Sequence, residues 1–340
     1  MAKKYLITGG AGFVGSNAAH HLIKQGHQVT ILDNLSRKGT EKNLKWLQES
    51  YGDGFRFIHG DIRDAETCVK ATADAEVIYH FAGQVAVTTS VVDPRSDFDI
   101  NALGTLNMLE GARLSGKKPI FAFTSTNKVY GGMEDVKTIE VDGRYDYDGL
   151  PNGVPESRLL DFHSPYGCSK GAADQYVRDY ARIYELPAFV FRMSCQYGPR
   201  QFGNEDQGWV AHFIIAANKG KGLNIYGDGK QVRDLLYVED LVRAFDMAVS
   251  NIDKTAGKIF NIGGGRSNVY SLLELIAYLE TMLGRKIPTT FGDWRPGDQP
   301  VYISDIAYAR ETFGWAPQIS KEEGVRRLLD WVKANPSLFE

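Results

Sequence analysis

The stretch TGGAGFVG, residues 8–15, follows the apolar run KYLI and precedes a helix-length segment. Its glycines fit two related spacings, G-x-G-x-x-G through Gly10, Gly12 and Gly15, and G-x-x-G-x-x-G through Gly9, Gly12 and Gly15. Glycine allows a tight turn and lets a pyrophosphate approach the backbone at the N-terminus of the next helix. The motif is weak by itself, but the strand before it and the helix after it predict a dinucleotide-binding turn.

Asp33 ends the second strand-like run, QVTILD, eighteen residues after Gly15. A carboxylate in this place accepts hydrogen bonds from the hydroxyls of an adenosine ribose and repels a 2′-phosphate. Asp33 therefore predicts NAD as the cofactor. Arg37 and Lys38 follow closely in DNLSRKG, which leaves NADP as the alternative.

Short apolar runs alternate with longer amphipathic segments in the N-terminal half. The runs KYLITG, QVTILD, FRFIHGD, EVIYHFAG, PIFAFTS and AFVFRM are continuous, as expected for strands that are buried on both faces. Helix-length segments such as residues 15–25 and 101–114 separate several of them. This rhythm predicts an α/β fold with a doubly wound parallel sheet, that is, a Rossmann fold.

Tyr166 and Lys170 lie four positions apart in YGCSK, at the start of a segment with helical periodicity. Residues i and i+4 share a helix face, so the ammonium can lie beside the phenol. Together with an oxidised nicotinamide it would lower the pKa of the phenol and produce a base that can oxidise an alcohol. A surface helix pair without chemistry is the alternative. Ser125 and Thr126 end another buried strand, where side chains point into the ligand crevice of such sheets.

The composition narrows the class of protein. A length of 340 residues allows two domains, and 43% hydrophobic residues, 24% charged residues and a net charge of −3 are typical of a globular protein. Lys and Arg are scattered and no apolar run reaches membrane-spanning length, so neither a nucleic acid nor a membrane is expected as a partner. The start MAKKYLIT leaves no room for a signal peptide, and three widely spaced cysteines fit neither a disulfide framework nor a metal site. We therefore expect a cytoplasmic protein that holds no metal.

Further motifs extend along nearly the whole chain: HGDIRD, FAG, TSTNKVYG, YGPRQ, YGDGKQVRDLLYVEDL, FNIGGG and RPGDQ. With the glycine turn and YGCSK, they resemble the extended short-chain dehydrogenase/reductase family of nucleotide-sugar epimerases and dehydratases. The resemblance implies Thr126, Tyr166 and Lys170 as catalytic residues, and Arg233 and Arg295 as ligands of the substrate diphosphate. The cofactor residues that it implies are Gly9, Gly12, Phe13, Val14, Gly15, Asp33, Asn34, Ser36, Arg37, Asp61, Ile62, Phe81, Ala82, Gly83, Tyr166 and Lys170.

The same resemblance implies two domains and an oligomer. The NAD-binding domain would comprise residues 1–198 and 232–262, and a smaller mixed domain for the sugar nucleotide would comprise residues 199–231 and 263–340. Helices near residues 101–114 and 166–184 would form the contact of a homodimer or homotetramer.

Finer features separate the branches of the family. Asn127 follows Thr126, where the 4,6-dehydratases usually have an acid, and an amide cannot protonate a leaving hydroxide. Residues 131–166 form a long segment, with turn signals at residues 142–143 and 152–153, that is expected to be a lid or a subunit contact. Gln84 and residues 88–90, including Thr88, are expected near the sugar. Thr126 and Asn127 are also expected to bind the substrate.

In these features the chain is similar to the branch of the family that inverts C2 of a CDP-linked hexose or dideoxyhexose. Ser194 and Cys195 depart from the usual pattern, in which many members carry an aromatic residue and an asparagine. A UDP-hexose 4-epimerase is the first alternative, followed by a 4,6-dehydratase or a net NAD-dependent dehydrogenase. A non-catalytic NAD-sensing protein is the alternative of a different class, but a sensor has no need for the three catalytic residues together.

Overall fold

The computed structural model describes residues 2–295 and 298–340. Pro296 and Gly297 of the RPGDQ motif lie outside the described residues. The strands are β1 Lys4–Thr8, β2 Gln28–Asp33, β3 Phe55–His59, β4 Val77–His80, β5 Ile120–Thr126, β6 Thr138–Val141, β7 Arg144–Tyr147, β8 Ala188–Met193, β9 Cys195–Tyr197, β10 Leu223–Tyr226, β11 Val232–Tyr237, β12 Ile259–Ile262, β13 Val269–Ser271, β14 Thr289–Gly292 and β15 Val301–Tyr302.

The α-helices are α1 Phe13–Lys24, α2 Thr40–Tyr51, α3 Ala65–Thr72, α4 Val87–Val92, α5 Pro94–Phe98, α6 Gly104–Leu114, α7 Ser164–Ile183, α8 Trp209–Asn218, α9 Val238–Ser250, α10 Ile252–Thr255, α11 Leu272–Leu283, α12 Ala307–Phe313 and α13 Lys321–Ala334. A π-helical turn at Asp99–Leu103 leads into α6, and a 3₁₀ turn at Asn127–Tyr130 follows β5. No helix within the two described ranges is long and apolar enough to cross a bilayer.

Seven strands form a parallel sheet in the order β12-β8-β5-β4-β1-β2-β3. The chain moves outward from β1 to β3 and then returns to β4 on the other side of β1. In open α/β sheets, ligands bind outside the carboxyl ends of the strands at such a reversal. The predicted doubly wound sheet is confirmed, and its crevice lies at the ends of β1 and β4.

Adjacent residues of the inner strands are buried on opposite faces of this sheet. The edge strand β3 is only partly buried, with Arg56 and His59 exposed, so the expectation of burial on both faces was wrong for the run FRFIHGD. Ile7 of β1 belongs to a core with Phe191, Phe245 and other apolar side chains, whereas its neighbour Leu6 packs in a second core with Phe121. Strands that are buried on both faces read as continuous apolar runs, because neither face meets water. Burial on both faces therefore explains why the inner strands appear in the sequence as unbroken apolar runs.

A smaller α/β part follows the large sheet. Its core lies largely between α8, α11 and α13, and its main sheet contains β13, β11 and β15, with β9 paired to β11. Strand β11 thus hydrogen-bonds within the smaller sheet, whereas β12 completes the large one. The domain boundaries after residues 198, 231 and 262 stay a prediction.

The long segment before α7 contains a β-hairpin of β6 and β7. Asp142 and Gly143 join the two strands with φ angles of 51° and 78°, the left-handed conformation of a two-residue hairpin turn. The Tyr145 amide donates to the Lys230 carbonyl at 3.0 Å, and the Tyr147 hydroxyl donates to the Val301 carbonyl at 2.8 Å. The segment is therefore packed against the smaller part of the molecule.

Candidate active site

The glycine turn brings α1 close to β1 and β4. Gly9 has a φ angle of 66°, and a Cβ atom there would lie 2.7 Å from the Ala82 amide nitrogen. A Cβ atom on Gly15 would lie 2.1 Å from the Gly9 carbonyl oxygen, whereas one on Gly12 would lie 3.1 Å from the same atom. Only glycine therefore fits at positions 9 and 15. The turn therefore exposes the first amides of α1, which lack partners within the helix, to an anionic ligand.

Asp33 is held against this turn at the end of β2. Its carboxylate accepts hydrogen bonds from the Ala11 amide at 3.0 Å and from the Leu35 amide at 2.8 Å. Burial raises the pKa of Asp33, and these two hydrogen bonds act in the opposite direction. The structure thus places a fixed carboxylate beside the turn, as required for an acceptor of ribose hydroxyls.

The predicted residues Asn34, Ser36 and Arg37 form the loop after β2. The Asn34 side chain accepts from the Ser36 amide at 3.1 Å and donates to Asp61 at 2.8 Å. Arg37 extends to the side-chain oxygen of Gln207 at 2.8 Å. The loop therefore connects the end of β2 to the end of β3.

Asp61 and Ile62 follow β3. Arg63, which sequence reasoning missed, binds Asp61 through Nε at 3.0 Å and a terminal nitrogen at 2.7 Å, and this contact lowers the pKa of Asp61 to about 2. Ile62 is buried, and its carbonyl accepts from the Asn107 side chain at 2.9 Å. An ionised carboxylate and an apolar side chain thus border the crevice beyond Asn34.

Phe81, Ala82 and Gly83 leave the end of β4 and run toward α7. The Ala82 amide donates to the Thr8 hydroxyl at 3.2 Å. A Cβ atom on Gly83 would lie 3.8 Å from the ammonium nitrogen of Lys170. The predicted cofactor segment therefore leads directly to the predicted catalytic lysine.

The structure brings Thr126, Tyr166 and Lys170 together at the end of β5, and all three are buried. The Thr126 hydroxyl is close enough to Tyr166 to lower the pKa of its phenol. The Lys170 ammonium lies 4.2 Å from the centre of the Phe123 ring. A phenol, a second hydroxyl and a lysine side chain are thus buried at the sheet edge where ligands are expected.

The expected lowering of the Tyr166 pKa is not found in the protein alone. Burial raises the pKa of Tyr166 to about 12, and the hydrogen bond with Thr126 only partly opposes this. Burial also lowers the pKa of Lys170 to about 7, against the charges of Asp174 and Asp97. Desolvation of both groups therefore outweighs the effect that helix spacing alone suggests.

The residues expected near the sugar occupy different environments. The Gln84 amide nitrogen donates to Asp97 at 2.9 Å and to the Ala86 carbonyl at 2.8 Å, while its oxygen accepts from the Ala86 amide. Thr88 is exposed on α4, whereas Ser90 is buried and accepts from the Tyr166 amide at 3.1 Å. Gln84 is thus bound to the protein at both ends of its amide, and its contact with a sugar stays a prediction.

Asn127 lies beside the catalytic threonine. Its side-chain oxygen is 3.4 Å from the Thr126 hydroxyl, and its nitrogen is 3.4 Å from the Gln299 side-chain oxygen. The next residue, Lys128, was missed as a site residue, although its burial lowers its pKa to about 8, with the Arg233 charge acting in the same direction. A signal was present in the sequence, since Lys128 directly follows the position that distinguishes the branches.

The two predicted diphosphate ligands have different partners. Arg233 on β11 is buried and pairs with Asp298 at 2.6 Å. Arg295 lies 3.9 Å from the centre of the Tyr226 ring and donates to the Glu205 carbonyl at 2.9 Å. Both side chains are held by protein contacts, and their shared role stays a prediction. The described residues hold no cluster of three or more His, Cys, Asp or Glu side chains suited to a metal ion.

The chain is similar to known proteins over nearly its whole length. The chain is 46% identical to the CDP-paratose 2-epimerase of Salmonella typhi over 97% of its own length and 99% of the relative's. The crystal structure of UDP-glucose 4-epimerase from Thermotoga maritima with UDP-glucose is 32% identical, with a TM-score of 0.85 and coverage of 98% of this chain and 99% of that one.

A dTDP-glucose 4,6-dehydratase from Streptomyces venezuelae, whose crystal structure has NAD bound, is 28% identical, with a TM-score of 0.84 and coverage of 99% of both chains. Residues 6–328 match the family model described as GDP-mannose 4,6 dehydratase. The chain therefore belongs to the GDP-mannose 4,6 dehydratase family, in agreement with the resemblance of its motifs to nucleotide-sugar epimerases and dehydratases.

Proposed function

We propose that the protein is an isomerase that inverts C2 of a CDP-linked hexose or dideoxyhexose with the help of NAD. The observation that carries this proposal is the meeting of Thr126, Tyr166 and Lys170 beside the glycine turn. The 46% identity to a CDP-paratose 2-epimerase supports the choice of carbon and nucleotide. The substrates that follow are CDP-paratose and CDP-tyvelose, or CDP-glucose and CDP-mannose.

The residues present fit NAD. The turn at Gly9 and Gly15 leaves no room for side chains between backbone segments, so a pyrophosphate can approach the start of α1. Asp33 would accept the hydroxyls of the adenosine ribose, and Lys170, close to Gly83, would hold the ribose of the nicotinamide. Bound NAD would supply a reversible two-electron acceptor, so that the sugar can be oxidised for a short time without net redox change.

The three buried side chains have separate roles in the proposed reaction. The phenol oxygen of Tyr166 takes the proton of the 2-hydroxyl as C2 becomes a ketone, and later returns it to the same oxygen. Thr126 donates a hydrogen bond to that oxygen, and Lys170 stabilises the ionised phenol by its charge. The ring of the 2-keto sugar turns its other face before reduction, which inverts C2.

Asn127 favours epimerisation over dehydration. The side chain lies 3.4 Å from the Thr126 hydroxyl, close to the sugar position, but an amide N–H is too weak an acid to protonate a leaving 6-hydroxyl. A UDP-hexose 4-epimerase remains the second candidate, because the same three residues can oxidise C4 when the ring is bound in another orientation. The 32% identity to UDP-glucose 4-epimerase supports this alternative.

The proposal is tested by incubating the protein with CDP-paratose, CDP-glucose and UDP-glucose in turn and locating the inverted carbon by NMR. We expect CDP-tyvelose from CDP-paratose or CDP-mannose from CDP-glucose, without stoichiometric consumption of NAD. CDP-galactose from CDP-glucose, with no manno product, would show that C4 is the reacting carbon. Loss of the 6-hydroxyl would indicate a dehydratase, and NAD consumption equal to product would indicate a net dehydrogenase.

Arg295→Ala is expected to raise the KM for the CDP-sugar by about 10- to 100-fold, because a hydrogen bond to a charged group contributes about 1.5–3 kcal/mol. The turnover number should change little, since the substrate and transition-state complexes share the same diphosphate contact. Steady-state kinetics provide the measurement, with Arg285→Ala as a control, because Arg285 donates instead to the Ala217 carbonyl. An effect confined to NAD retention would assign Arg295 to the cofactor.

We also propose that the protein acts in the cytoplasm as a homodimer or homotetramer. Apolar side chains of α6 and α7 support a subunit contact, since Leu114 and Ile183 are 60% and 65% exposed. Large apolar side chains grouped on exposed helix faces are typical of protein interfaces.

A further inference from the structure

Asp97 on α5 is a buried carboxylate close to the catalytic residues, and the proposed reaction does not use it. Only 1% of its surface is exposed. Asp97 accepts hydrogen bonds from the Ser169 hydroxyl at 2.5 Å, the Gln84 amide nitrogen at 2.9 Å and the Asn101 amide nitrogen at 3.2 Å. Burial raises the pKa of Asp97, and the hydrogen bond from Ser169, the charge of Lys170 and the hydrogen bonds from Gln84 and Asn101 act in the opposite direction by stabilising the ionised carboxylate.

Two contacts connect Asp97 to the lysine of the site. Ser169, which donates to Asp97, directly precedes Lys170 on α7. A Cβ atom on Gly83 would lie 3.0 Å from the Asn101 side-chain oxygen and 3.8 Å from the Lys170 ammonium, so these two side chains border the same glycine. Asp97 is thus hydrogen-bonded to the residue that directly precedes Lys170.

Two carboxylates raise the pKa of Lys170 by their charge, Asp174 first and then Asp97. Asp174 binds Arg192 through two hydrogen bonds, of 2.8 and 3.1 Å. Burial lowers the pKa of His80, which also faces Lys170, to about 3, so this ring is neutral near pH 7. The positive charge of Arg37 lowers the pKa of Tyr166. The hydrogen bonds to Asp97 come from neutral groups, and its charge raises the pKa of both Lys170 and Tyr166.

We propose that Asp97 is a positioning residue whose buried charge keeps Lys170 protonated and balances the positive charge of the oxidised cofactor. With oxidised NAD, the nicotinamide and Lys170 carry two positive charges, and the Tyr166 phenolate and Asp97 carry two negative ones. After reduction of the nicotinamide and protonation of Tyr166, Lys170 and Asp97 remain as one charge of each sign. The charges of these four groups therefore sum to zero before and after the redox step, which avoids the cost of an unbalanced buried charge among them.

This inference rests on the proposed roles of Tyr166 and Lys170, but it can be tested without a sugar substrate. The change is Asp97→Asn, which keeps the shape of the side chain and removes its charge. The first measurement is the pH titration of the ¹³Cε signal of Lys170, assigned by its loss in Lys170→Arg. The second is the ratio of the dissociation constants for NAD and NADH.

We expect the midpoint of the Lys170 titration to fall by about one pH unit, the lower end of the range for loss of a nearby opposite charge. The affinity for NAD should fall about tenfold relative to that for NADH, because only the oxidised ring is positive. Asp99→Asn serves as the control, since this carboxylate binds Arg95 at the surface and its loss changes net charge equally. Unchanged values for both measurements in folded Asp97→Asn protein would overturn the proposal.

A second variant covers the case in which Asp97→Asn does not fold. Ser169→Ala keeps the carboxylate but removes a hydrogen bond that stabilises its ionised form, so the Lys170 midpoint should fall by a smaller amount in the same direction. No fall in this variant would contradict the inference. Inversion at C4 instead of C2 would leave both readouts as expected, which separates this inference from the proposed function.

Discussion

Tyr166→Phe is expected to lower the turnover number by at least about 10²-fold, the usual scale for loss of a general acid–base group. Phenylalanine keeps the buried ring and removes only the hydroxyl. The fold and the bound NAD should therefore be retained. The measurement is the rate of C2 inversion at saturating substrate, together with the content of nicotinamide in the purified protein.

Tyr180→Phe is the matched control for this variant. Tyr180 lies on the same helix, about 21 Å further along its axis at 1.5 Å per residue, and its hydroxyl donates to Glu110 at 2.6 Å. Near-normal turnover in Tyr166→Phe would remove Tyr166 from the mechanism. Equal losses in both variants would indicate a general effect on the helix instead.

Asp174→Ala is expected to lower the free energy of unfolding by about 3–5 kcal/mol, as is typical when one partner of a buried ion pair is removed. The Asp174 side chain is fully buried and that of Arg192 is 3% exposed, with two hydrogen bonds between them. Without Asp174, the guanidinium stays buried with an uncompensated charge. Denaturant unfolding followed by circular dichroism measures the change.

The control is Glu66→Ala, which removes an exposed i,i+4 pair with Lys70 and should cause little change in the unfolding midpoint. A similarly small change for Asp174→Ala would mean that the buried pair contributes little to the fold. A large loss of stability with normal Lys170 titration would show that Asp174 acts through Arg192 rather than on the catalytic lysine.

The parts of the fold that depend on local sequence were predicted. The glycine turn and Asp33 lie within one βαβ unit, where glycine spacing and a strand end can be read directly. The turn at Asp142 and Gly143 was also predicted, because two residues with positive φ require these residue types. The helix predicted from residue 166 begins at Ser164, a difference of two residues.

Contacts between distant residues could not be predicted. Gln84 was expected at the sugar, but its amide binds Asp97, thirteen residues away, and no local pattern encodes that contact. Burial raises the pKa of Tyr166 in the protein alone, and the degree of burial depends on the whole fold. The lowering expected with an oxidised nicotinamide stays a prediction. The pairing of β9 with β11 joins residues 40 positions apart, and the sequence carries no sign of their register.

The position of β12 at the edge of the large sheet has a consequence for biosynthesis. Strand β8 ends at Met193, and its outer neighbour β12 ends at Ile262. A ribosome that adds about 5–20 residues per second therefore completes β12 about 3–14 s after β8. During this interval the apolar strand AFVFRM has a free edge that can pair with other nascent chains. Fragments that end before Ile259 retain this free edge, which makes aggregation the expected fate of prematurely terminated chains.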